Sequence, residues 1–484
     1  MVSEIREIGV TAGKANDFSE WYTQVVMKAE LADYSAAKGF MILRPYGYAI
    51  WERIQKLLDR ELKKLGHQNI YFPVLIPESL LAKEADHFAG FTPQVFWVTS
   101  AGDTTLGERL ATRPTSEAIA YASFSKWVKS WRDLPLLLNC WNSVLRAEIK
   151  GTKPFIRTSE FLWQEGHTAH EKEADAEEEV YRILELYRSL IEKILAVPVY
   201  VGYKSEKEKF VGAEYTTTLE ALMPDGRALQ MGTSHNLGQN FSKPFEIRFL
   251  GQDNKEHFAW QTSWGVSWRL IGALIMTHGD DKGLVLPPRI APIHCVIVPI
   301  YYNVKDREEV RSECERIQQS LKKRKVRTHL DDRDHYTPGW KFHNWELKGV
   351  PLRIEIGPRD IKAGEIVMVR RDQGKKVHVR NDLVETAVIN SLREMQENLY
   401  ESAQASLRDR TTYAQEYSEL MSYIQKDFGF VKAAWCGDES CEERVKDETG
   451  ADIRLIPLTR EEARTTCVVC RKESKHVAYF AKAY

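Results

Sequence analysis

Residues 139–167 read NCWNSVLRAEIKGTKPFIRTSEFLWQEGH. Two runs of alternating β-type residues flank a short KGTKP loop, the pattern of an antiparallel hairpin. On the first run Arg146 and Glu148 stand two residues apart and share a face; on the second, Arg157, Ser159, Phe161, Trp163 and Glu165 do. Such a face is a poor half of a hydrophobic core, because burying unpaired charge is costly. From the residues alone two readings stay open. The face is solvated and laced with cross-strand ion pairs, or it meets an anion at the arginines and a planar heterocycle at Phe161.

Composition narrows the classes. The chain has 484 residues, a formal net charge of −1 and seven cysteines. That length suits two to four domains. Near-neutrality excludes a global basic field, so a nucleic-acid partner must be met by local patches. No apolar run of about 18 residues occurs, and MVSEIREIGVTAGK lacks the apolar core of a signal peptide. A soluble, cytoplasmic protein with no membrane partner is expected. Cys140, Cys295 and Cys314 are scattered and four cysteines cluster late, unlike a secreted disulfide framework.

Outward from the hairpin, residues 17–35 have helical spacing with Asp17 as N-cap. A second helix over Ile50, Ile54, Leu57, Leu58, Leu62 and Leu65 stops at Gly66. NIYFPVLIP then reads as a strand whose Pro73 belongs at an edge or interface. ATRPTSEA, 111–118, predicts a helix start with Thr115 as cap and Glu117 in the first turn. HEKEAD does not match HExxH, so the charged run after His170 is read as the solvated start of a helix over 173–195. In 228–241, strict alternation puts Gln230, Gly232 and Ser234 on one side of a strand and Thr233 and His235 on the other. Residues 257–278 read as a strand, a turn at Gly265 and an apolar helix. Arg269 falls at the junction, either presented to a phosphate or ring or exposed to solvent.

From Pro292 the rhythm becomes βαβ. Trp340, Lys341, Trp345, Lys348, Arg353 and Arg359 suit a single-stranded RNA face, one reading among several that composition permits. After a polar helical stretch over 390–427, Cys436-x4-Cys441 and Cys467-x2-Cys470 fit a tetrahedral thiolate zinc site better than disulfides, although the intervening segment is longer than in a standard finger.

Arg146-x-Glu148, a loop, then Arg157-xxx-Phe161 resembles motif 2 of the class II aminoacyl-tRNA synthetases, and RTSEFLWQEGHTAHE is similar to the prolyl enzymes of archaeal and eukaryotic type. The resemblance runs through the chain: about 39–77 looks like motif 1, about 139–167 motif 2 and about 257–278 motif 3. It implies a multidomain α/β fold. An antiparallel-sheet catalytic domain is expected over 1–290, an α/β anticodon-binding domain over 291–395 and a small α/β zinc-containing C-terminal domain over 396–484.

What the resemblance implies for the site is specific. Arg146, Arg157 and Arg269 would be catalytic. Together with Glu148, Thr158, Phe161, Gln230, Thr233 and Ser267 they would bind ATP and its Mg²⁺, and Ser267-Trp268 departs from the small hydroxyl residues of relatives. Thr115, Glu117, Arg146, Trp163, Glu165, His167 and His235, with Phe91 and Phe210 as apolar walls, would bind L-proline. Glu346, Arg353 and Arg359 would read the anticodon of tRNA(Pro), and Cys436, Cys441, Cys467 and Cys470 would hold a structural Zn²⁺ beside a C-terminal domain ending at Tyr484. Motif 1 with Pro73 implies a homodimer. The stretch from motif 2 to residue 226 leaves no room for the editing insertion of bacterial-type relatives. Another class IIa synthetase and a non-catalytic tRNA-binding paralogue are the alternatives. The TSE and WQEGH strings speak against the first, and retention of Arg146, Glu148, Phe161 and Arg269 against the second. The absence of GxxxxGK[ST] agrees with phosphates held by arginines on a sheet.

Overall fold

The computed structural model describes residues 9–87, 94–147, 151–459, 461–463 and 465–484. Its centre is an antiparallel sheet built from β1 (Gln68–Asn69), β2 (Leu136–Leu145), β3 (Glu160–His170), β4 (Tyr200–Tyr203), β5 (Tyr215–Leu222), β6 (Ala228–Gly238) and β7 (Trp260–Ser267). They lie in the order β1-β2-β3-β7-β6-β5-β4, with only β1 parallel to its neighbour. Alternation gives the sheet two different faces. Trp264 and Val266 of β7, Leu229 and Met231 of β6, and Leu219 and Ala221 of β5 form a core with helices Glu173–Ser189 and Arg269–His278. The opposite face carries Phe161, Trp163 and Glu165 and surrounds a cavity.

The hairpin is real but its strands are shorter than the alternation suggests. The ladder runs from Leu136↔Ala169 to Leu145↔Glu160, so residues 146–159 form the connection. Arg146 therefore stands just beyond the strand end, tied by its N–H to Ser159 O at 2.8 Å. Arg157 and Ser159 likewise precede β3.

Two strand readings are corrected. Gly265 is no turn; it lies inside β7, opposite Thr233 and Glu165. A Cβ there would meet Gln164 O at 3.1 Å and the Trp163 ring at 3.5 Å, so the missing side chain is what that crowded position requires. In β6 the alternation switches. Leu219 pairs with Gly232 and Glu220 with Gln230, leaving Met231 as the extra residue of a β-bulge. Gln230 thus reaches the same face as Thr233 and His235 instead of the opposite one.

The first helix covers Phe18–Lys28, capped by Asp17 accepting from Glu20 N at 3.0 Å, and stops earlier than 35. The motif 1 helix is Pro45–Lys64, with Gly66 at φ 93° past its end. NIYFPVLIP is not one strand: after β1, residues Leu75–Pro77 join a separate three-stranded sheet, and Pro73 lies between. At 111–118 the helix begins at Glu117, and the cap position is Ser116, not Thr115.

Residues Cys295–Pro299, Thr328–Leu330, Leu352–Ile356, Glu365–Arg370 and Lys376–Arg380 form a five-stranded sheet. The expected boundary at 395 falls within helix Val384–Asp409. Lys341 and Trp345 do not contribute to a surface. They are 3% and 8% exposed and both bond Asp331, Lys341 Nζ to its carbonyl at 2.9 Å and Trp345 Nε1 to its carboxylate at 2.8 Å. The last segment extends the central sheet: strand Ala451–Pro457 pairs with β4 through Ile456↔Tyr203 and Pro457↔Gly202, giving eleven strands in all.

Candidate active site

The cavity on the front of the sheet has a volume of about 280 Å³. One end is formed where helix Glu117–Trp127 meets β3. There Thr115 donates its hydroxyl to Glu117, and Ser116 gives Glu165 both its N–H, at 3.1 Å, and its hydroxyl. The helix thus starts without a side-chain cap bond, its hydroxyls turned to carboxylates instead. Burial alone would raise Glu165, but the hydrogen bond and charge of His167 and the donors Asn142 and Ser116 outweigh it, so its carboxyl lies below the ordinary range. Burial likewise opposes charge on His167, yet Glu165 and Glu117 hold it above the usual imidazole value.

His167 itself is a correction. It does not line the cavity; fully buried, it backs Glu165 at 3.3 Å and packs edge-on against Tyr121 at 5.6 Å. The wall opposite is Phe210 and His235, whose rings lie 4.7 Å apart. Burial pushes His235 down to about 3, so the imidazole is neutral.

The other end carries cations and an aromatic ring. The Arg146 guanidinium lies 5.3 Å from the Phe161 ring and 5.8 Å from Trp163, with Nε donating to Pro114 O at 3.2 Å. Arg269 opens helix Arg269–His278 and donates to Ile156 O at 3.3 Å and Gln230 O at 3.4 Å. Arg157, exposed, Thr158, Gln230, Thr233 and Ser267 also line the cavity. Trp268 does not obstruct it: the indole is 5% exposed and packs edge-on to Phe155, while Ser267 Oγ accepts from Arg269 N at 3.2 Å. Glu148 and Phe91 lie outside the described residues.

Sequence reading missed Ser116, Asn142 and Thr216. Asn142 was within reach, since it shares strand parity with Arg146 and sits opposite Trp163. Thr216 gave no signal in its TTT run; only the fold puts its hydroxyl on Phe210 N and His235 Nδ1, both at 2.9 Å. Elsewhere, Glu346 and Arg353 line one small pocket, while Arg359 is exposed outside it on helix Pro358–Ala363. The Cys436 Sγ lies 3.7 Å from both Cys441 Sγ and Cys470 Sγ, and Cys467 completes a group whose ligand atoms all fall within 4.8 Å of one another.

Comparison with known proteins gives the same reading from three directions. Family profiles match for the tRNA synthetase class II core domain (G, H, P, S and T) over residues 96–278, the anticodon binding domain over 294–391 and the prolyl-tRNA synthetase C-terminal domain over 417–484. The proline–tRNA ligase of Cenarchaeum symbiosum is 57% identical over 99% of this chain and all of its own length. That of Natranaerobius thermophilus is 51% identical over 97% of each. A crystal structure of prolyl-tRNA synthetase from Cryptosporidium parvum, complexed with halofuginone and AMPPNP, superimposes with a TM-score of 0.94 at 44% identity, covering 99% of this chain and 100% of that one. Identity of this extent over the whole chain to proline–tRNA ligases makes both a different class IIa synthetase and a non-catalytic tRNA-binding paralogue the poorer descriptions, and the chain belongs to the prolyl-tRNA synthetases, the proline–tRNA ligases.

Proposed function

We propose that the cavity binds L-proline and ATP side by side, forms prolyl-adenylate and passes the prolyl group to the 3′ end of tRNA(Pro). The observation that carries this reading is the continuity of the cavity, with paired acids and hydroxyls at one end and arginines around an aromatic ring at the other. At the acid end, the Thr115 hydroxyl and Glu117 carboxylate accept the two N–H groups of proline's secondary ammonium. Trp163, Phe210 and His235 bound the ring, and Glu165, backed by His167, fixes the wall. At the cationic end Phe161 stacks on adenine, and Thr158, Gln230, Thr233 and Ser267 supply polar contacts; Glu148 is assigned the adenine amino group by its place in the motif alone. Gln230 and Thr233 would lie beside ATP-bound Mg²⁺, whose charge would offset that of the phosphates.

A proline carboxylate oxygen attacks the α-phosphorus in line and pyrophosphate leaves; the terminal ribose hydroxyl of tRNA then attacks the acyl carbon and AMP leaves. No side-chain nucleophile is needed. Arg146 spans the proline carboxylate and α-phosphate, and Arg157 and Arg269 reach the outer phosphates, because guanidinium forks match such oxygens in pairs. Catalysis is then positioning plus charge stabilisation.

Three further assignments complete the proposal. Cys436, Cys441, Cys467 and Cys470 would hold a structural Zn²⁺; the 3.7 Å Sγ spacings of Cys436 to Cys441 and Cys470 are close to the roughly 3.8 Å edge of a tetrahedron with Zn–S of about 2.3 Å. Homodimerisation through motif 1 is supported by its exposed apolar residues Ile42, Tyr48, Tyr71 and Val74. Glu346 and Arg353, with Arg359 nearby in sequence, read the anticodon in the cytoplasm. ATP–pyrophosphate exchange with each amino acid, without tRNA, tests the core of this reading. Exchange strongest with proline and lost in Arg146→Ala is expected; exchange strongest with another amino acid would overturn it.

A further inference from the structure

We propose that Asn142 is a positioning residue of the proline pocket, whose amide bridges the Trp163 indole and the Glu165 carboxylate and holds both at the cavity wall. This rests on the proline-pocket reading and extends it to a residue of the same hairpin to which that reading assigns no role. Asn142 Oδ1 accepts from Trp163 Nε1 at 2.6 Å, and Asn142 Nδ2 donates to Glu165 Oε1 at 2.9 Å. An indole N–H only donates and an ionised carboxylate only accepts, so the two partners fix which end of the amide faces which. Asn142 faces Trp163 directly across the β2–β3 ladder and reaches Glu165 on the diagonal, a geometry a short side chain with both a donor and an acceptor satisfies.

The bridge also divides labour between the two acids. Glu165 takes Asn142 on one side and Ser116 N, Ser116 Oγ and His167 Nε2 on the others, which occupies its lone pairs. The Thr115 hydroxyl lies nearer Glu117, with a longer contact to Glu165 Oε2 at 3.4 Å, and Glu117 keeps acceptor capacity for the ligand's N–H groups. Glu165 is therefore a fixed wall, and Asn142 is what registers Trp163 against it.

The test is proline and ATP KM by pyrophosphate exchange for wild type, Asn142→Ala and Asn142→Asp. Loss of a bridge to a charged group is expected to raise the proline KM about tenfold or more in Asn142→Ala while the ATP KM stays within about twofold. Asn142→Asp gives a second readout that mere destabilisation does not imitate. Its carboxylate faces Glu165, and the other titratable groups around the site include Glu117, His167, Cys140, Arg113 and Arg146, with His235, Lys204, Glu208, Arg157 and Arg269 on the cavity lining. Two carboxylates in contact share a proton, and the protonated Asp donates to Glu165 as the amide did. The ratio of the variant's proline KM to that of wild type should therefore shrink as pH falls from about 8 to about 6. Equal rises in both KM values for Asn142→Ala, or a flat ratio for Asn142→Asp, would overturn the assignment. A wild type without proline-dependent exchange would instead remove the reading on which it stands.

Discussion

The Thr216 hydroxyl faces two groups at once, Phe210 N and His235 Nδ1. With His235 neutral, one chain satisfies every member: Phe210 N–H to Thr216, Thr216 O–H to His235 Nδ1, and His235 Nε2–H to Thr233 Oγ1 at 3.1 Å. Thr216→Val keeps the shape and removes the link, leaving a backbone N–H without its acceptor at a cost of about 1–3 kcal/mol. Steady-state kinetics should show the proline KM rising about tenfold with the ATP KM nearly unchanged; a parallel rise in both would sink the idea. The same apolar walls limit specificity. A hydrophobic pocket rejects a smaller side chain by only about 1–3 kcal/mol, and residues 171–227 hold a helix and two strands with no inserted editing domain. Alanine and cysteine should support pyrophosphate exchange at high concentration, and exchange confined to proline would refute that expectation. At this scale the sequence disclosed the charged and aromatic residues of motif 2 because their chemistry is out of place in a core. Thr216 and Ser116 stayed silent because hydroxyls in strands and at helix starts are ordinary.

Strand parity is where sequence pattern and structure part. Alternation correctly grouped Phe161, Trp163 and Glu165, since β3 is uninterrupted over them. It failed in β6, because a bulge depends on the partner strand and not on the residues that carry it. It also misread Gly265, whose glycine serves close packing within a strand; the turn expected there has no counterpart. Gly166 shows the same rule on the core side. A Cβ there would lie 2.0 Å from Cη2 of Trp264, itself 2% exposed and wedged edge-on between His67 and Tyr187. With no room for the indole to move, Gly166→Ala should cost about 1–3 kcal/mol, the usual range for overpacking. Denaturant unfolding reads this directly, and an unchanged midpoint would mean that β3 and β7 separate more easily than their shared ladder implies.

Across the whole molecule, stability joins parts that the chain keeps far apart. Burial holds His170 and His278 down at about 4 and His235 at about 3. The unfolded chain takes up these protons near pH 6.5, the folded one only well below. The resulting stability is present above about 6.5 and is lost as pH falls toward the folded values. His167, held above 6.5, and Glu442, pushed by burial up to about 7, act in the opposite sense, so the comparison between variants is the test: the melting temperature of His278→Gln should fall less than that of wild type as pH drops below about 6.5; an unaltered slope would assign it to other groups. The C-terminal segment is tied in more strongly still. Arg454 and Lys204 both bond Glu220, at 3.0 and 2.7 Å, with all three buried, and Gly202 lets the backbone of Ile456 approach where a Cβ would meet its oxygen at 2.3 Å. Cys436, Cys441 and Cys467 share one core with Ile453 and Phe480, which face each other across the ladder immediately before the register shift at Arg454. Removing the proposed Zn²⁺ should therefore loosen Arg454 from Glu220, and through β4 and β5 reach the sheet that carries the site. Metal analysis of the full chain should find zinc that is lost in a Cys467→Ser, Cys470→Ser variant, together with a lower melting temperature and weaker proline-dependent exchange. Loss of zinc with melting and exchange both unchanged would show that the buried ion cluster holds the C-terminal strands without the metal, and the coupling would have to be abandoned.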